Sequence, residues 1–139
     1  TVSGLFGIAE VEPDKPVTVF EGYFDSLFCP NSLALLGTAR DSYVYALTER
    51  NVDVRFFFDN DEEGRSRVSK WTSRGMPCFM WPQWTEYMSK RARDPLEVER
   101  RLKRCKDLND VAQVVQDPWR VGKMRKFFAA DPLDAFALN

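Results

Sequence analysis

The sequence predicts an α/β fold with a mainly parallel sheet of about four strands and helices on its faces. Short apolar segments at 17–20, 32–36, 54–58 and 76–81 alternate with segments of helical spacing. This alternation is typical of parallel sheets with crossover helices. Four of the five residues in 54–58 are apolar, as expected for a strand buried on both faces. Acidic residues directly follow the first and third of these strands.

The predicted strand at 17–20 leads into a turn and a short helix. Gly22 lets the backbone leave the strand sharply, because glycine has no Cβ. The segment Tyr23–Cys29, which carries Asp25, then reads as a short helix or turn that stops near Pro30.

The next two helices have recognisable ends. Thr38 followed three residues later by Asp41 has the form of a capping box, with Asp in place of the usual Glu. It predicts an amphipathic helix that runs to about Arg50. A second helix is expected over Glu62–Arg74, with Gly75 as its stop.

The alternation is interrupted after residue 82 by a segment rich in basic residues. Asp94 followed by Pro95 predicts the start of a helix. The basic residues in and before this helix are Arg91, Arg93, Arg100, Arg101, Lys103 and Arg104. They indicate either a solvated charged face or a surface that contacts nucleic acid, and both readings remain open.

The C-terminal part of the chain is predicted to be helical. The pairs at 117–118 and 131–132 repeat the pattern of an aspartate cap followed by proline. They predict a basic helix and then a short C-terminal piece. The apolar residues expected to pack this helix against the core are Trp119, Val121, Phe127 and Phe128.

The composition limits which classes of protein and which kinds of active site fit this sequence. A length of 139 residues with 44% hydrophobic residues fits one domain with its own core. The absence of histidine excludes imidazole-dependent hydrolase triads, and with three unpaired cysteines it argues against a zinc site. We expect a cytoplasmic protein without a membrane span. With a net charge of −1, only a local basic patch could bind nucleic acid.

Carboxylates are predicted to meet at one edge of the sheet. Asp59 and Asp61 follow the strand 54–58, and alternation along a strand would aim both at one spot. Glu21 ends the strand 17–20, and parallel strands have their carboxyl ends at a common edge. Carboxylate oxygens are ligands that Mg²⁺ prefers. An Asp-x-Asp pair alone is more often a turn or a helix cap, so the prediction depends on this convergence.

Several segments resemble the motifs of TOPRIM domains, the catalytic core shared by bacterial-type primases, topoisomerases and some nucleases. Glu21–Asp25 (EGYFD) resembles the EGxxD element, and Asp59–Gly64 (DNDEEG) resembles the DxDxxG element. Lys106–Asp110 (KDLND) is similar to the KDxND element of phage and bacterial primases. Leu5–Ile8 (LFGI) resembles the LYG(L/V) segment before the core, and Gly37–Thr38 lies where primases carry a small-residue turn.

The resemblance is strongest to DNA primases of large tailed bacteriophages and implies a nucleotidyltransferase. Such an enzyme would make RNA primers from ribonucleoside triphosphates on a single-stranded DNA template, beside a replicative helicase, in the host cytoplasm. Two Mg²⁺ or Mn²⁺ ions are expected as cofactors. The expected catalytic residues are Glu21, Asp59 and Asp61; the metal set adds Asp25 and Asp107; the expected phosphate- or nucleic-acid-binding residues are Lys106, Arg65, Arg101 and Arg104.

The resemblance also implies a division of the chain. Residues 1–116 correspond to a TOPRIM core with a lead-in at 1–16 and a helical insertion at 85–104, and 117–139 form a helical extension. Glu63 departs from the pattern, because many relatives have a small residue there. The zinc-binding module and the amino-terminal half of a primase core have no counterpart in this sequence, so we expect primer synthesis to need a longer protein.

Two other functions fit the same sequence. The carboxylates could activate water instead of a ribose hydroxyl, which would give a Mg²⁺-dependent TOPRIM nuclease. A non-catalytic module that docks onto a helicase or nucleic acid is suggested by the basic C-terminal helix and by Trp81 and Trp84, if both are exposed. A topoisomerase fits less well, since it needs a tyrosine nucleophile and the tyrosines here are expected to pack.

Overall fold

The computed structural model describes residues 5–6, 10–35 and 41–131, which form a six-stranded sheet flanked by helices. The strands are β1 (Leu5–Phe6), β2 (Val17–Phe20), β3 (Ser32–Leu35), β4 (Val54–Phe57), β5 (Cys78–Phe79) and β6 (Phe128–Ala129). The helices are α1 (Tyr23–Ser26), α2 (Asp41–Glu49), α3 (Glu62–Thr72), α4 (Trp81–Lys90), α5 (Pro95–Lys103), α6 (Leu108–Ala112) and α7 (Pro118–Val121). A 3₁₀ helix spans Met124–Phe127. None of the described helices is both long enough and apolar enough to cross a membrane.

The sheet confirms the predicted α/β class and its four parallel strands. The strand order is β1-β3-β2-β4-β5-β6, in which β2 to β5 are parallel and the two edge strands are antiparallel. The chain passes from β2 to β3 on one side and then returns to place β4 on the other side. The order therefore reverses between β2 and β4, the position at which open α/β sheets bind ligands.

Strand β4 contributes to the core on both faces of the sheet, as predicted. Val54, Phe56 and Phe58 pack with Trp71 of α3 on one face. Phe57 packs on the opposite face against Phe79, with ring centroids 4.1 Å apart. Helices α2 and α3 thus cover one face, and α4 to α7 cover the other. A strand with apolar residues on both sides can bury them only when helices cover both faces of the sheet.

The predicted strand at 76–81 is present but shorter than expected, because β5 spans only Cys78–Phe79 and helix α4 begins at Trp81. Pro82 lies in the first turn of this helix, where proline is well tolerated. Trp81 and Trp84 are buried, and their indole N–H groups donate to the carbonyls of Phe58 and Gly122, each at 2.9 Å. The expectation that these tryptophans are exposed is wrong, and the docking hypothesis loses that support.

The C-terminal segment is a broken helix and not the continuous basic helix predicted. Lys123 has a φ of 50°, and the chain changes there from α7 to the 3₁₀ helix. Trp119, Phe127 and Phe128 are buried as predicted, whereas Val121 is 57% exposed. Strand β6 pairs with β5, so residues 118–129 complete the aromatic face of the core.

The other predicted helices are confirmed to within a turn. Helix α2 ends at Glu49, and α3 is followed by Gly75 at a φ of 79°. Asp94 caps α5 by accepting a hydrogen bond from the N–H of Glu97 at 3.3 Å. The predicted cap at Thr38, the turn at 37–38, most of the segment at 5–8 and the piece after 131 lie outside the described residues.

We predict that the residues after α7 contribute to the free energy of unfolding through their packing in the core. Met124 is fully buried, so Met124→Ala should lower the free energy of unfolding by about 2–5 kcal/mol through lost packing and a cavity. Chemical denaturation monitored by tryptophan fluorescence measures this change. Val121→Ala is the control, because this apolar residue of the same segment is exposed and its truncation should cost less than about 0.5 kcal/mol. Equal effects of the two substitutions would contradict the assignment.

Candidate metal centre

Three aspartates from distant parts of the chain meet beyond the edge of the sheet. Asp25 lies in α1, Asp59 follows β4, and Asp107 caps α6. One carboxylate oxygen from each lies within 4.8 Å of one from each of the others. Asp25 is buried, and the other two are partly exposed. We call Asp25, Asp59 and Asp107 the aspartate triad.

The reversal of strand order places Asp59 beside the end of β2. Phe20 and Phe57 are partners in the parallel pairing of β2 with β4. The next residues therefore leave the sheet side by side, and the N–H of Asp59 donates to Oε2 of Glu21 at 3.3 Å. Gly64 at the start of α3 lies against the same loop. A Cβ at residue 64 would be 1.8 Å from the carbonyl oxygen of Asp59, so only glycine fits there.

Asn60 joins the loop after β4 to the loop before α6. Its backbone N–H donates to the carbonyl of Lys106 at 2.5 Å, and its side-chain amide donates to the carbonyl of Cys105 at 3.1 Å. Both carbonyls belong to residues just before Asp107. These two bonds therefore set Asp59 and Asp107 next to each other across a separation of 48 residues (107 − 59).

Helix α6 holds the remaining members of the triad through backbone amides. The N–H of Asn109 donates to Oδ1 of Asp25 at 2.8 Å. Oδ1 of Asp107 accepts from the N–H of Asp110 at 2.8 Å, and the carboxylate of Asp110 accepts from the N–H of Lys106 at 2.8 Å. Asp107 is thus a normal N-cap of α6, and Asp110 reaches back to the residue before the cap. The bonds to Asp25 and Asp107 each use one carboxylate oxygen and leave lone pairs for a further ligand.

Asp61 is positioned differently from the sequence prediction. Strand β4 ends at Phe57, so strand alternation does not extend to Asp61. Asp61 caps α3 by accepting from the N–H of Gly64 at 2.7 Å, and its other oxygen lies 3.6 Å from Nζ of Lys106. Among the described residues the group that could hold a metal contains Asp59 but neither Asp61 nor Glu21. Metal ligation by Asp61 stays a prediction.

Cations pair with the acids that flank the triad and not with the triad itself. Arg67 forms an ion pair with Oε1 of Glu21 and, through its other nitrogen, with Glu63 at 2.8 Å. Lys106 is the cation nearest Asp61. Within the described part of the chain, no ion pair involves a triad carboxylate. The triad carboxylates therefore lack a directly paired cation, although Asp59 and Asp107 both contribute to the raised pKa of Lys106.

Burial, together with the neighbouring carboxylates, raises the proton affinity of two triad members. Burial is the main cause that raises the pKa of Asp59 to about 8, followed by the charge and hydrogen bonding of Glu21 and the charges of Asp25 and Asp107. Burial likewise raises the pKa of Asp25 to about 6, although the N–H of Asn109 acts in the opposite direction. A divalent cation would offset the carboxylate repulsion that adds to both shifts.

The donor set fits a hard cation such as Mg²⁺ or Mn²⁺. All the ligand atoms that the triad offers are carboxylate oxygens, and the chain contains no histidine. Cys29, Cys78 and Cys105 are buried, and burial raises the pKa of the first two thiols to about 12. Protonated thiols are poor ligands, so zinc is disfavoured.

The predicted basic residues divide into two groups. Lys106 and Arg65 border the triad: the pKa of Lys106 is raised mainly by Asp61, and Arg65 donates to Oδ1 of Asn60 at 3.4 Å. Arg101 instead pairs with Glu97 of its own helix at 2.9 Å, and Arg104 is an exposed residue at the end of α5. Lys106 and Arg65 are thus placed to meet a phosphate near the triad.

Sequence reasoning missed the roles of Asn60 and Arg67. A signal for Arg67 was present, because Glu63 and Arg67 have the i, i+4 spacing of an ion pair on a helix. Its reach to Glu21 depends on the adjacency of β2 and β4. No sequence pattern indicates that Asn60 donates hydrogen bonds to the carbonyls of Cys105 and Lys106.

We predict that the metal-free chain loses stability as pH rises. The pKa of Asp59 is raised from its ordinary value of 3.8 to about 8 in the folded chain, so the folded state binds more protons than the unfolded state between these pH values. Asp59→Asn removes the charge and should raise the free energy of unfolding of the metal-free protein at pH 8. The gain should be only on the order of 1 kcal/mol, because solvent screens this half-exposed group. The gain should shrink toward pH 4. Thermal melts in EDTA across this range measure it.

Asp53→Asn is the matched control for this measurement. It removes the same charge from an exposed residue immediately before β4. We expect its melting temperature to follow the unmodified chain at every pH. If the melting temperature of Asp59→Asn also equals that of the unmodified chain from pH 4 to pH 8, the charge on Asp59 does not destabilise the folded state.

Comparison with known proteins assigns no family. A scan of protein-family models and a search of curated proteins each returned no match to this chain. Any function given to the chain therefore depends on the residues described above and on their geometry.

Proposed function

We propose that this chain is the metal-dependent catalytic core of a nucleotidyltransferase, and specifically the TOPRIM part of a DNA primase. The observation that carries the proposal is the aspartate triad, whose oxygens lie within 4.8 Å of one another. Three carboxylates gathered without a cation among them are costly to fold unless a ligand compensates them. Their place at the reversal of strand order is where α/β enzymes bind substrates.

The motif resemblance supports the same conclusion. Asp25 belongs to the EGYFD segment, Asp59 to the DNDEEG segment and Asp107 to the KDLND segment. Each of these three segments thus supplies one member of the triad. A chance resemblance in three separate segments has no reason to place one aspartate from each at a common point.

The proposed reaction requires that the triad hold a divalent cation. It also requires that neighbouring residues keep the triad in position. When bound, such a cation neutralises phosphate charge and activates the attacking hydroxyl. Asp25, Asp59 and Asp107 are the residues that would hold it, with Asp61 as a further candidate. Glu21 orients Asp59 by accepting its backbone N–H. Lys106 and Arg65 are the residues placed to bind the phosphates of a nucleotide or of the template.

The substrates proposed for this site are ribonucleoside triphosphates and a single-stranded DNA template, with a replicative helicase as partner in a bacterial cytoplasm. Arg101 and Arg104 on α5 are proposed to contact the template. The same triad would equally serve hydrolysis of a phosphodiester. The reaction products, and not the residues, distinguish primase from nuclease.

We predict that Asp59→Asn and Asp107→Asn each reduce Mg²⁺-dependent product formation by about 100-fold or more, because each removes a proposed ligand. The assay combines labelled ribonucleotides, single-stranded DNA and a longer protein that contains this segment. Incorporated ribonucleotides support the primase proposal, and DNA cut without incorporation supports the nuclease. Calorimetry with Mg²⁺ on the 139-residue chain checks the metal site separately.

Asp53→Asn again serves as the control, since its exposed carboxylate precedes β4 and does not belong to the triad. Its activity should match that of the unmodified protein. Full activity in both triad variants, with Asp53→Asn behaving in the same way, would show that the triad is not catalytic.

A further inference from the structure

A groove of about 570 Å³ lies between helices α4 and α5. Trp81 and Pro82 in the first turn of α4, and Pro95 in the first turn of α5, supply apolar parts of its lining. Asn60 lines it as well, and the indole N–H of Trp81 joins α4 to the carbonyl of Phe58 at 2.9 Å. The groove therefore opens beside the loop that carries Asp59.

The two helices form a hairpin, because only residues 91–94 separate them. Antiparallel packing brings the end of α5 back to the start of α4, where Asn60 lines the groove. Asn60 also donates to the two carbonyls just before Asp107, so this end of the groove adjoins the loops of the triad. The other end, near Lys90 and Pro95, is roughly 14 Å away at the rise of a nine-residue helix. A chain-like ligand in the groove would thus reach the triad at one end.

The charged side chains that line the groove are paired with one another. Lys90 pairs with Glu86 at 2.9 Å, and Lys103 pairs with Glu99 at 2.8 Å. All four line the groove, so the charges of its lining balance. Such a lining offers hydrogen-bond donors and acceptors next to apolar surface. Nucleobases match this chemistry, because they have flat faces that stack and polar edges that form hydrogen bonds.

Arginines without an acidic partner lie at both ends of the groove. Among the described residues, Arg91, Arg93 and Arg104 form no ion pair; the first two follow α4, and the third ends α5. The guanidinium carbon of Arg91 lies 3.7 Å from the ring centroid of Tyr87, which fixes its position. Residues 86–106 carry eight basic and four acidic side chains, a net charge of +4 in a chain whose net charge is −1. This local charge attracts phosphates to the ends of the groove.

We propose that the groove between α4 and α5 binds single-stranded nucleic acid, with bases in the groove and phosphates on the arginines at its ends. This inference rests on the proposed function, and it names the path by which a template strand reaches the triad. A duplex does not fit, because its bases are stacked on each other and paired. Most of the lining belongs to the helical insertion at 85–104, so the site is an addition to the core that the motif resemblance describes.

The test measures binding of a fluorescently labelled single-stranded oligonucleotide to the full chain by anisotropy, in EDTA so that the triad holds no metal. Lys103→Gln leaves Glu99 without its cation inside the groove and should weaken binding by about 10-fold. Lys70→Gln is the matched control, because Lys70 also pairs with an acid, Asp41, but lies on α3 at the opposite face of the sheet. It removes the same charge and should weaken binding less than about twofold.

Two further probes test how the strand is oriented. A strand with abasic sites in place of its bases keeps every phosphate and should bind at least about 10-fold more weakly, because base stacking is lost. A duplex of the same sequence should bind as weakly as the abasic strand. Arg104→Gln should reduce the slope of log affinity against log salt by about 1, since it removes one phosphate contact. Equal binding of the intact strand, the abasic strand and the duplex would overturn the proposal.

Calorimetry with Mg²⁺ on the same protein separates this inference from the proposed function. Single-strand binding that depends on Lys103, in a chain that binds no Mg²⁺, would overturn the metal-dependent function and leave the groove as a single-strand site. Mg²⁺ binding without single-strand binding, or equal effects of Lys103→Gln and Lys70→Gln, would overturn the groove alone. Lys90→Gln repeats the test from α4 and decides the outcome if Lys103→Gln does not fold.

Discussion

The hydrogen bonds of Asn60 are the constraint on which the candidate site depends. They connect the loop after β4 to the backbone carbonyls of Cys105 and Lys106, at 3.1 and 2.5 Å. The pairing of β2 with β4 brings Glu21 and Asp59 together, but it has no influence on Asp107. Asn60 supplies that link, because its side-chain amide and its backbone N–H donate to the two carbonyls just before Asp107.

The gathered carboxylates are held by a rigid environment. Asp59 and Asp25 are buried enough to have raised pKa values, which means that the fold maintains an unfavourable arrangement of charge. The compensating stability comes from the two hydrophobic layers beneath the site, and chiefly from the aromatic face that Trp84, Phe79 and Phe127 build. Backbone amides at 109 and 110 fix two of the three carboxylates without neutralising them.

The acidic residues of the site differ in whether they form ion pairs. The flanking acids Glu21 and Asp61 form ion pairs with an arginine and a lysine, whereas no ion pair among the described residues involves the three central aspartates. A site of this kind has room for an external cation at its centre and for phosphate near its edge. The same arrangement explains why Glu63 is compatible with a metal centre: its charge is directed to Arg67 and away from the triad.

The sequence by itself determined the α/β class and the four parallel strands, because hydrophobic period and caps are local properties. The three segments that supply the triad were found through their resemblance to TOPRIM motifs. Sequence patterns misplaced Asp61 and the tryptophans at 81 and 84, since the strand ends at Phe57 and a helix starts at Trp81. The motif resemblance named Asp25 and Asp107 as metal candidates, but only the tertiary structure shows that these two meet Asp59 in one group without Glu21 and Asp61, and that Arg67 pairs with Glu21. These contacts join residues far apart in the chain, and they depend on strand order and on the hydrogen bonds of single side chains, which no local pattern encodes.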